Sequence, residues 1–245
     1  MDDLHQFILH HLVNGNQSSV LPGSGVNCNH FKPRDIITLT PETQDVLMVS
    51  RLLKDKGVYE FVEAARLIKK LQPKVRFQLL GRLDERNPNV ITKNELNNWK
   101  NEGLVDWLGE VDDVRPVVAG ADIVALPSYY REGVPRVLLE AAAMGKPIIT
   151  TDAIGCREVV EHGLTGLIVP VKDAQALAQS ISLLLAHPEM RQEMGIAGRA
   201  KMKAEFDEKI VIDKTMDIYS KVYSTHFLHN LNGKIKQWTR KKLEH

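Results

Sequence analysis

The sequence predicts an α/β protein with a doubly wound, Rossmann-like parallel sheet and a helical C-terminal segment. Three observations favour this class: the apolar runs are short, they are apolar throughout, and stretches of helical periodicity separate them. Strands that are apolar on both faces suit a parallel sheet that helices cover on both sides. With 245 residues, of which 43% are hydrophobic, the chain can bury a sizeable core without covalent cross-links.

The candidate strands and helices alternate along the chain. The strand-like runs are Val46–Val49, Val75–Leu80, Val105–Leu108, Asp122–Leu126, Pro147–Thr151 and Gly166–Pro170. After Gly57, apolar residues recur at helical spacing from Val58 to Leu71, and Pro73 is expected to stop that helix. From about Asp173 to Tyr223 the pattern is helical.

Composition and charge disfavour several classes of protein. Lys and Arg total 32 and Asp and Glu total 31, so the chain lacks the basic excess of a protein that neutralises nucleic acid. Cys28 and Cys156 are far apart and form no CxxC pair, which disfavours a disulfide framework and a cysteine zinc site. No apolar run approaches the roughly 18 residues of a spanning helix. We therefore expect a cytoplasmic location.

The carboxyl ends of the strands are where a doubly wound sheet binds its ligand. The stretch from Tyr130 to Glu140 follows one such end and runs into a helix that Pro135 suits as a first-turn residue. We expect the N–H groups of Arg136, Val137 and Leu138 to be free at the start of this helix. Together with the helix dipole they predict an anion site, most naturally for phosphate.

Charged side chains surround this predicted anion site. Glu132 precedes it, and Glu140 lies one turn inside the helix on the side that Arg136 shares. Two carboxylates suit a ligand with hydroxyls at both ends, because carboxylates are strong hydroxyl acceptors. Arg51 and Lys56 follow the first strand at the same sheet edge, where they would neutralise a diphosphate. The alternative is an ordinary acidic helix start beside surface cations.

These motifs together resemble the C-terminal, donor-binding domain of family 4 glycosyltransferases, which have the two-domain GT-B architecture. The matching elements are Ser50–Gly57, Leu126–Ser128, the Glu132-x7-Glu140 signature, Gly145–Ile149, Gly155–Val160 and Gly163–Val169. The resemblance covers roughly Val20 to Tyr223. Its forms at Arg131–Arg136 and Gly155–Glu158 are most similar to bacterial enzymes of O-antigen, capsule and lipid-linked glycan assembly, several of which transfer N-acetylhexosamines.

Carried over by position, the resemblance implies the following roles. Arg51 and Lys56 would bind the diphosphate of a UDP-linked sugar, and Glu132 would hold hydroxyls of the transferred sugar; these three are the catalytic candidates. Glu140 would bind the ribose hydroxyls. The nucleotide sugar is a substrate, so the resemblance implies no cofactor and no metal ion.

Backbone amides complete the donor site that the resemblance implies. Those of Gly133 and Val134 would reach the sugar, and those from Arg136 to Leu138 the phosphates. The family often has Gly-Phe-Gly after its first glutamate, whereas Gly133-Val134-Pro135 stands here. Pro135 removes one amide donor from this series.

The resemblance also implies a division of the chain. Residues 1–31 would be a remnant of the acceptor domain and linker, 32–205 the Rossmann-like nucleotide-sugar domain, and 206–242 helices crossing toward a missing domain. Independently of the family, residues 243–245 resemble the remnant of an expression tag. The chain would thus be one half of a GT-B fold. His5, His10, His11 and His30 match no motif and are interpreted as surface or linker residues.

We therefore expect the donor-binding half of a retaining glycosyltransferase, inactive alone. The whole enzyme would move a hexose or N-acetylhexosamine from a UDP-sugar to a glycan or polyprenyl-linked acceptor bound through the missing domain. A non-catalytic nucleotide-sugar-binding module is the alternative. A glycosidase pair at Glu132 and Glu140 is disfavoured, because hydrolysis by two carboxylates would not explain the presence of Arg51 and Lys56 at the same sheet edge.

Two weaker signals remain. The acidic run Glu110–Asp113 could bind a metal ion, but solvated acids that open a short helix are the favoured interpretation. The tail from Leu228 to Lys242 could form a basic amphipathic helix that lies on an anionic membrane. A helix docked on the missing domain, or a frayed terminus, is the alternative for that tail.

Overall fold

The computed structural model describes residues 21, 23–34, 43–131 and 133–224. Glu132, the N-terminal residues 1–20 and the tail Leu228–Lys242 therefore lie outside the described residues. The strands are β1 (Asp45–Val49), β2 (Arg76–Leu80), β3 (Asp106–Trp107), β4 (Ile123–Leu126), β5 (Ile148–Thr151) and β6 (Gly166–Val169). The helices are α1 (Val58–Lys69), α2 (Lys93–Asn101), α3 (Arg115–Gly120), α4 (Arg136–Ala143), α5 (Ala174–Ala186) and α6 (Pro188–Lys201). Residues 208–224 form a further helix, α7.

The six predicted strands form one parallel sheet in the order β3-β2-β1-β4-β5-β6. Val46 pairs with Phe77 of β2 on one side and with Ile123 of β4 on the other. The chain therefore builds the sheet outward from β1 in one direction and from β4 in the other. This is a doubly wound α/β fold, as predicted, and its topological switch point lies between the carboxyl ends of β1 and β4.

The strands are buried because helices cover both faces of the sheet. All four residues of β4 and all four of β5 are buried, which explains why these runs lack alternation. Helix α1 packs against α5 on one side of the sheet. Below it, the rings of Phe61 and Phe77 meet edge to face with centroids 5.4 Å apart.

Helix α1 is shorter than the sequence pattern predicted. It ends at Lys69, and Leu71, which was placed in its apolar stripe, is 85% exposed. The prediction was wrong for this last residue, because the chain leaves the helix in a turn before Pro73. Helix α2 was not predicted, although its capping box is visible in the sequence as Thr92-x-x-Glu95.

The segment around Val26 is attached to the C-terminal part of the domain. Val26 forms a parallel bridge with Asp207, and its N–H donates to the carbonyl oxygen of Phe206 at 2.8 Å. The Arg199 guanidinium donates to the carbonyl oxygens of Cys28, Phe31 and Ala143. Residues 23–31 thus pack on the sheet domain beside the start of α7.

Candidate functional site

The carboxyl ends of β1 and β2 enclose a cavity of about 200 Å³. Its walls are Val49, Ser50, Arg51, Leu80, Gly81, Arg82, Glu110, Val111 and Val114. The Ser50 hydroxyl is buried at this wall and has no hydrogen-bond partner among the described residues. Because an unsatisfied buried hydroxyl is costly, the cavity is suited to a ligand that offers a polar atom.

Gly81 allows the two strand ends to approach each other at this cavity. Its φ is +146°, and a Cβ atom there would overlap the carbonyl oxygen of Ser50. Any other residue would push the end of β2 away from β1. No role in the donor site was predicted for Arg82, and Glu110 and Val111 belong to the run that was interpreted as solvated acids before a short helix; the signal for all three was their place after strand ends.

Arg51 follows β1 and lies at the rim of the cavity. Its side chain is 43% exposed, and Nη1 donates to Oδ2 of Asp84 at 3.2 Å. An ion pair with this exposure is worth little, because water screens it. A ligand phosphate can therefore exchange with Asp84 as the partner of Arg51.

Lys56 is held differently. It ends the 3-10 turn Lys54–Lys56 and is only 7% exposed, and its Nζ lies 4.9 Å from the centroid of the Tyr130 ring. Gly57 follows with φ +83°, and a Cβ there would overlap the carbonyl oxygen of Pro127. This close approach brings Lys56 to the loop between β4 and α4.

The start of α4 offers backbone donors. Pro135 is the N-cap with extended backbone and no side-chain cap. The N–H groups of Arg136 and Val137 have no acceptor among the residues that the structure describes. The prediction of a third free donor was wrong, because the Leu138 N–H donates to the carbonyl oxygen of Pro135 at 3.1 Å. Two amides and the helix dipole therefore face an anion here.

Glu140 lies one turn into α4, where the side chain is 15% exposed. Its burial raises the pKa of the carboxyl group, and the nearby Arg136 guanidinium opposes this rise. Arg136 Nε lies 3.5 Å from Oε1 of Glu140, which confirms the predicted neighbourhood of the two residues. The carboxylate is thus a partly desolvated acceptor beside the free amides.

The loop before α4 is in contact with Gly23, which belongs to the segment of residues 23–31. Gly133 is exposed and Val134 is half-buried. Gly23 packs on Val134 so closely that a Cβ at Gly23 would lie 3.1 Å from the Cβ of Val134. This contact was not predicted, because it joins residues that are far apart in the chain. Glu132, the remaining catalytic candidate, lies outside the described residues.

The acidic run before α3 has a structural explanation. Asp113 accepts hydrogen bonds from the backbone N–H of Arg115 at 3.0 Å and from its Nε at 2.7 Å. These bonds lower the pKa of Asp113 to about 2. Among the residues described, no three His, Cys, Asp or Glu side chains are grouped to hold a metal ion.

Within the same part of the chain, no helix is both long and apolar enough to cross a membrane.

The fold and this site define a class: a doubly wound domain with cations and free amides at its switch point. Residues 32–201 match the family model "Glycosyl transferases group 1". The chain belongs to this family of glycosyltransferases. The resemblance to family 4 glycosyltransferases is therefore confirmed.

One curated relative comes from Campylobacter jejuni and is an N,N'-diacetylbacillosaminyl-diphospho-undecaprenol alpha-1,3-N-acetylgalactosaminyltransferase. It is 38% identical over 178 residues, which are 72% of this chain and 44% of the relative. The chain thus spans less than half the length of that enzyme. The activity of that enzyme agrees with the predicted similarity to enzymes of lipid-linked glycan assembly.

Solved structures confirm the fold. HepE from Anabaena, solved in complex with UDP, superposes with a TM-score of 0.71 at 24% identity over 80% of this chain and 56% of HepE. The C-terminal domain of the group 1 glycosyl transferase LpcC from Francisella tularensis superposes with a TM-score of 0.63 at 22% identity. That match covers 75% of this chain and 99% of the LpcC domain. The described sheet is therefore the Rossmann-like fold found in GT-B glycosyltransferases.

Proposed function

We propose that this chain is the donor-binding part of a retaining glycosyltransferase and that it binds a UDP-linked hexose or N-acetylhexosamine. One observation carries the proposal: two cations from the segment after β1 and two free amides of α4 occupy the switch point. A diphosphate is the ligand group that matches this arrangement of cations and helix-start amides. Two points support a nucleotide here: HepE, which shares the fold, was solved in complex with UDP, and doubly wound sheets bind their ligands at this edge.

Each part of the donor has a proposed partner. The diphosphate would contact Arg51, Lys56 and the amides of Arg136 and Val137. The ribose hydroxyls would donate to Glu140, whose carboxylate is already partly desolvated. The nucleobase would occupy the cavity between β1 and β2, where none of the residues that the structure describes bonds the Ser50 hydroxyl.

The sugar would lie beyond the diphosphate, at the loop before α4. We assign its hydroxyls to Glu132 and to the amides of Gly133 and Val134, as the family resemblance implies. The Leu138 N–H is not among the proposed donors to the phosphates, because it donates to the carbonyl oxygen of Pro135.

The chemistry follows from this placement. During transfer, the bond between the anomeric carbon and the phosphate oxygen breaks, and negative charge grows on the leaving UDP. Arg51, Lys56 and the helix-start amides would donate to that charge, so they would stabilise the transition state more than the ground state. The acceptor hydroxyl forms the new bond on the same face and passes its proton to the departing phosphate oxygen, giving retention.

The acceptor is proposed from the relative's chemistry. The Campylobacter enzyme acts on a diphospho-undecaprenol-linked sugar, so we propose a polyprenyl-linked glycan acceptor for the whole protein. That acceptor would be held by a further domain, which corresponds to the part of the relative that this chain does not match. Contact with the inner face of the plasma membrane would follow from such an acceptor.

The test is calorimetry of the chain with UDP, UDP-sugars, GDP-sugars and ADP-sugars. UDP and one or more UDP-sugars are expected to bind. Charge-assisted contacts are worth roughly 1.5–3 kcal/mol, so Arg51→Ala and Lys56→Ala should each weaken UDP about tenfold to a hundredfold. Lys54→Ala is the matched control, because Lys54 is an exposed cation of the same turn.

Two results would change the proposal. Unchanged UDP affinity in both Arg51→Ala and Lys56→Ala would remove these residues from the site. Preference for GDP- or ADP-sugars would retain the site but correct the nucleotide.

A further inference from the structure

Two consecutive tyrosines after β4 each have a lysine over the ring. Lys56 Nζ lies 4.9 Å from the ring centroid of Tyr130, and Lys172 Nζ lies 4.7 Å from that of Tyr129. Both tyrosine N–H groups donate to the carbonyl oxygen of Asp55, at 3.0 Å from Tyr129 and 3.1 Å from Tyr130. The two pairs thus share one backbone anchor, but only the first contains a residue of the candidate site.

We propose that Tyr130 is a positioning residue for Lys56. The ring would hold the ammonium group near the start of α4 before the diphosphate arrives, so that binding does not have to order a flexible side chain. This inference rests on the proposed function, because it concerns the cation that we assign to the diphosphate.

Burial favours this role. Lys56 is 7% exposed, whereas Tyr130 is 43% exposed, so the ring covers the lysine and faces solvent itself. The attraction between an ammonium group and an aromatic face increases when water is excluded. A lysine side chain also has large rotamer entropy, which a binding step would otherwise lose.

Several hydrogen bonds fix the position of the ring. The Ser128 hydroxyl donates to the carbonyl oxygen of Asp55 at 3.3 Å and accepts from the Tyr130 N–H at 3.3 Å. The Thr151 hydroxyl of β5 donates to the carbonyl oxygen of Ser128. The loop that bears Tyr130 is thus joined both to the turn that bears Lys56 and to the sheet.

The experiment is UDP calorimetry on the full chain with three variants. Tyr130→Leu should weaken UDP about fivefold, from the typical strength of a partly desolvated cation–π contact. Tyr130→Phe retains the ring and should bind within about twofold of the unsubstituted chain. Tyr129→Leu, which removes the neighbouring ring with the same backbone anchor, should bind as the unsubstituted chain does.

A double variant tests whether Tyr130 acts through Lys56. Adding Tyr130→Leu to Lys56→Ala should cause no further loss of affinity, because the ring then has no cation to position. Circular dichroism and the Tm of each variant verify folding. Additive losses, or equal losses in Tyr130→Phe and Tyr130→Leu, would overturn the inference.

The inference and the proposed function fail in different ways. If Lys56→Ala weakens UDP but Tyr130→Leu does not, the positioning role is wrong and the donor site stands. If the unsubstituted chain binds neither UDP nor any of the UDP-, GDP- and ADP-sugars, both the donor site and the positioning role are wrong.

Discussion

Arg51 and Lys56 present two different states of a cation before its ligand arrives. Arg51 is exposed and paired with Asp84, so a ligand phosphate would replace the Asp84 carboxylate as its partner. Lys56 is already desolvated, so little further desolvation of this group accompanies binding. We therefore expect the affinity contributed by Arg51 to depend more strongly on ionic strength than that of Lys56.

Glu140 combines a proposed binding role with a cost to stability. Burial raises the pKa of its carboxyl group, so the folded chain binds the proton more tightly than the unfolded chain. The contribution of this group to stability is then greatest at acidic pH and falls as the pH rises through the raised pKa. At neutral pH the buried carboxylate destabilises the unliganded fold.

Glu140→Gln is therefore expected to raise the Tm at pH 7, with a smaller difference near pH 4, and to weaken UDP about tenfold through the ribose contact. Thermal unfolding at the two pH values and calorimetry measure these effects. Glu132→Gln is the counterpart: it should leave UDP affinity intact and weaken the UDP-sugar selectively. Equal losses for both ligands in both variants would refute this division of roles.

At the scale of elements, the site depends on how closely the start of α1 approaches the β4–α4 loop. Gly57 has φ +83°, and it lies against the carbonyl oxygen of Pro127. The carbonyl oxygen of Asp55 accepts from Tyr129 and Tyr130 in the same contact. These backbone contacts bring Lys56 to the loop between β4 and α4.

Gly57→Ala tests this contact. The left-handed conformation costs a non-glycine residue roughly 1–2 kcal/mol, and displacement of the loop adds to that cost. We expect a loss of stability above this range and at least about tenfold weaker UDP binding, because Lys56 would move with the turn.

Gly103→Ala is the matched control. Gly103 also has a positive φ, +70°, but a Cβ there meets nothing within 4 Å. It should show the conformational cost alone, with UDP affinity unchanged. Equal stability losses in the two variants would show that the contact with Pro127 is unimportant.

At the scale of the molecule, the described site is open. Transfer requires the donor carbon and the acceptor oxygen to be held about 3–3.5 Å apart with water excluded. The described residues supply the donor side of such a cleft at the carboxyl ends of the strands, and the chain matches only 44% of its Campylobacter relative. We infer that this chain binds donor and transfers nothing alone.

The measurement is a transfer assay with radiolabelled UDP-sugars and polyprenyl-diphosphate-linked acceptors, with the Campylobacter relative as the positive control. No acceptor-dependent product is expected from the 245-residue chain. Turnover comparable to that of the relative would contradict the half-enzyme interpretation.

The sequence by itself determined the sheet, because apolar runs that lack alternation have few alternatives to a covered parallel strand. It also predicted the cations and the Glu140–Arg136 neighbourhood, which depend on local spacing. Only the tertiary structure decided which amides are free. The Leu138 N–H donates to the carbonyl oxygen of Pro135 in a tightened first turn, and no residue pattern predicts this tightening. It likewise decided the contacts of Lys56 with Tyr130 and of Gly23 with Val134, since these join residues that are distant in the chain.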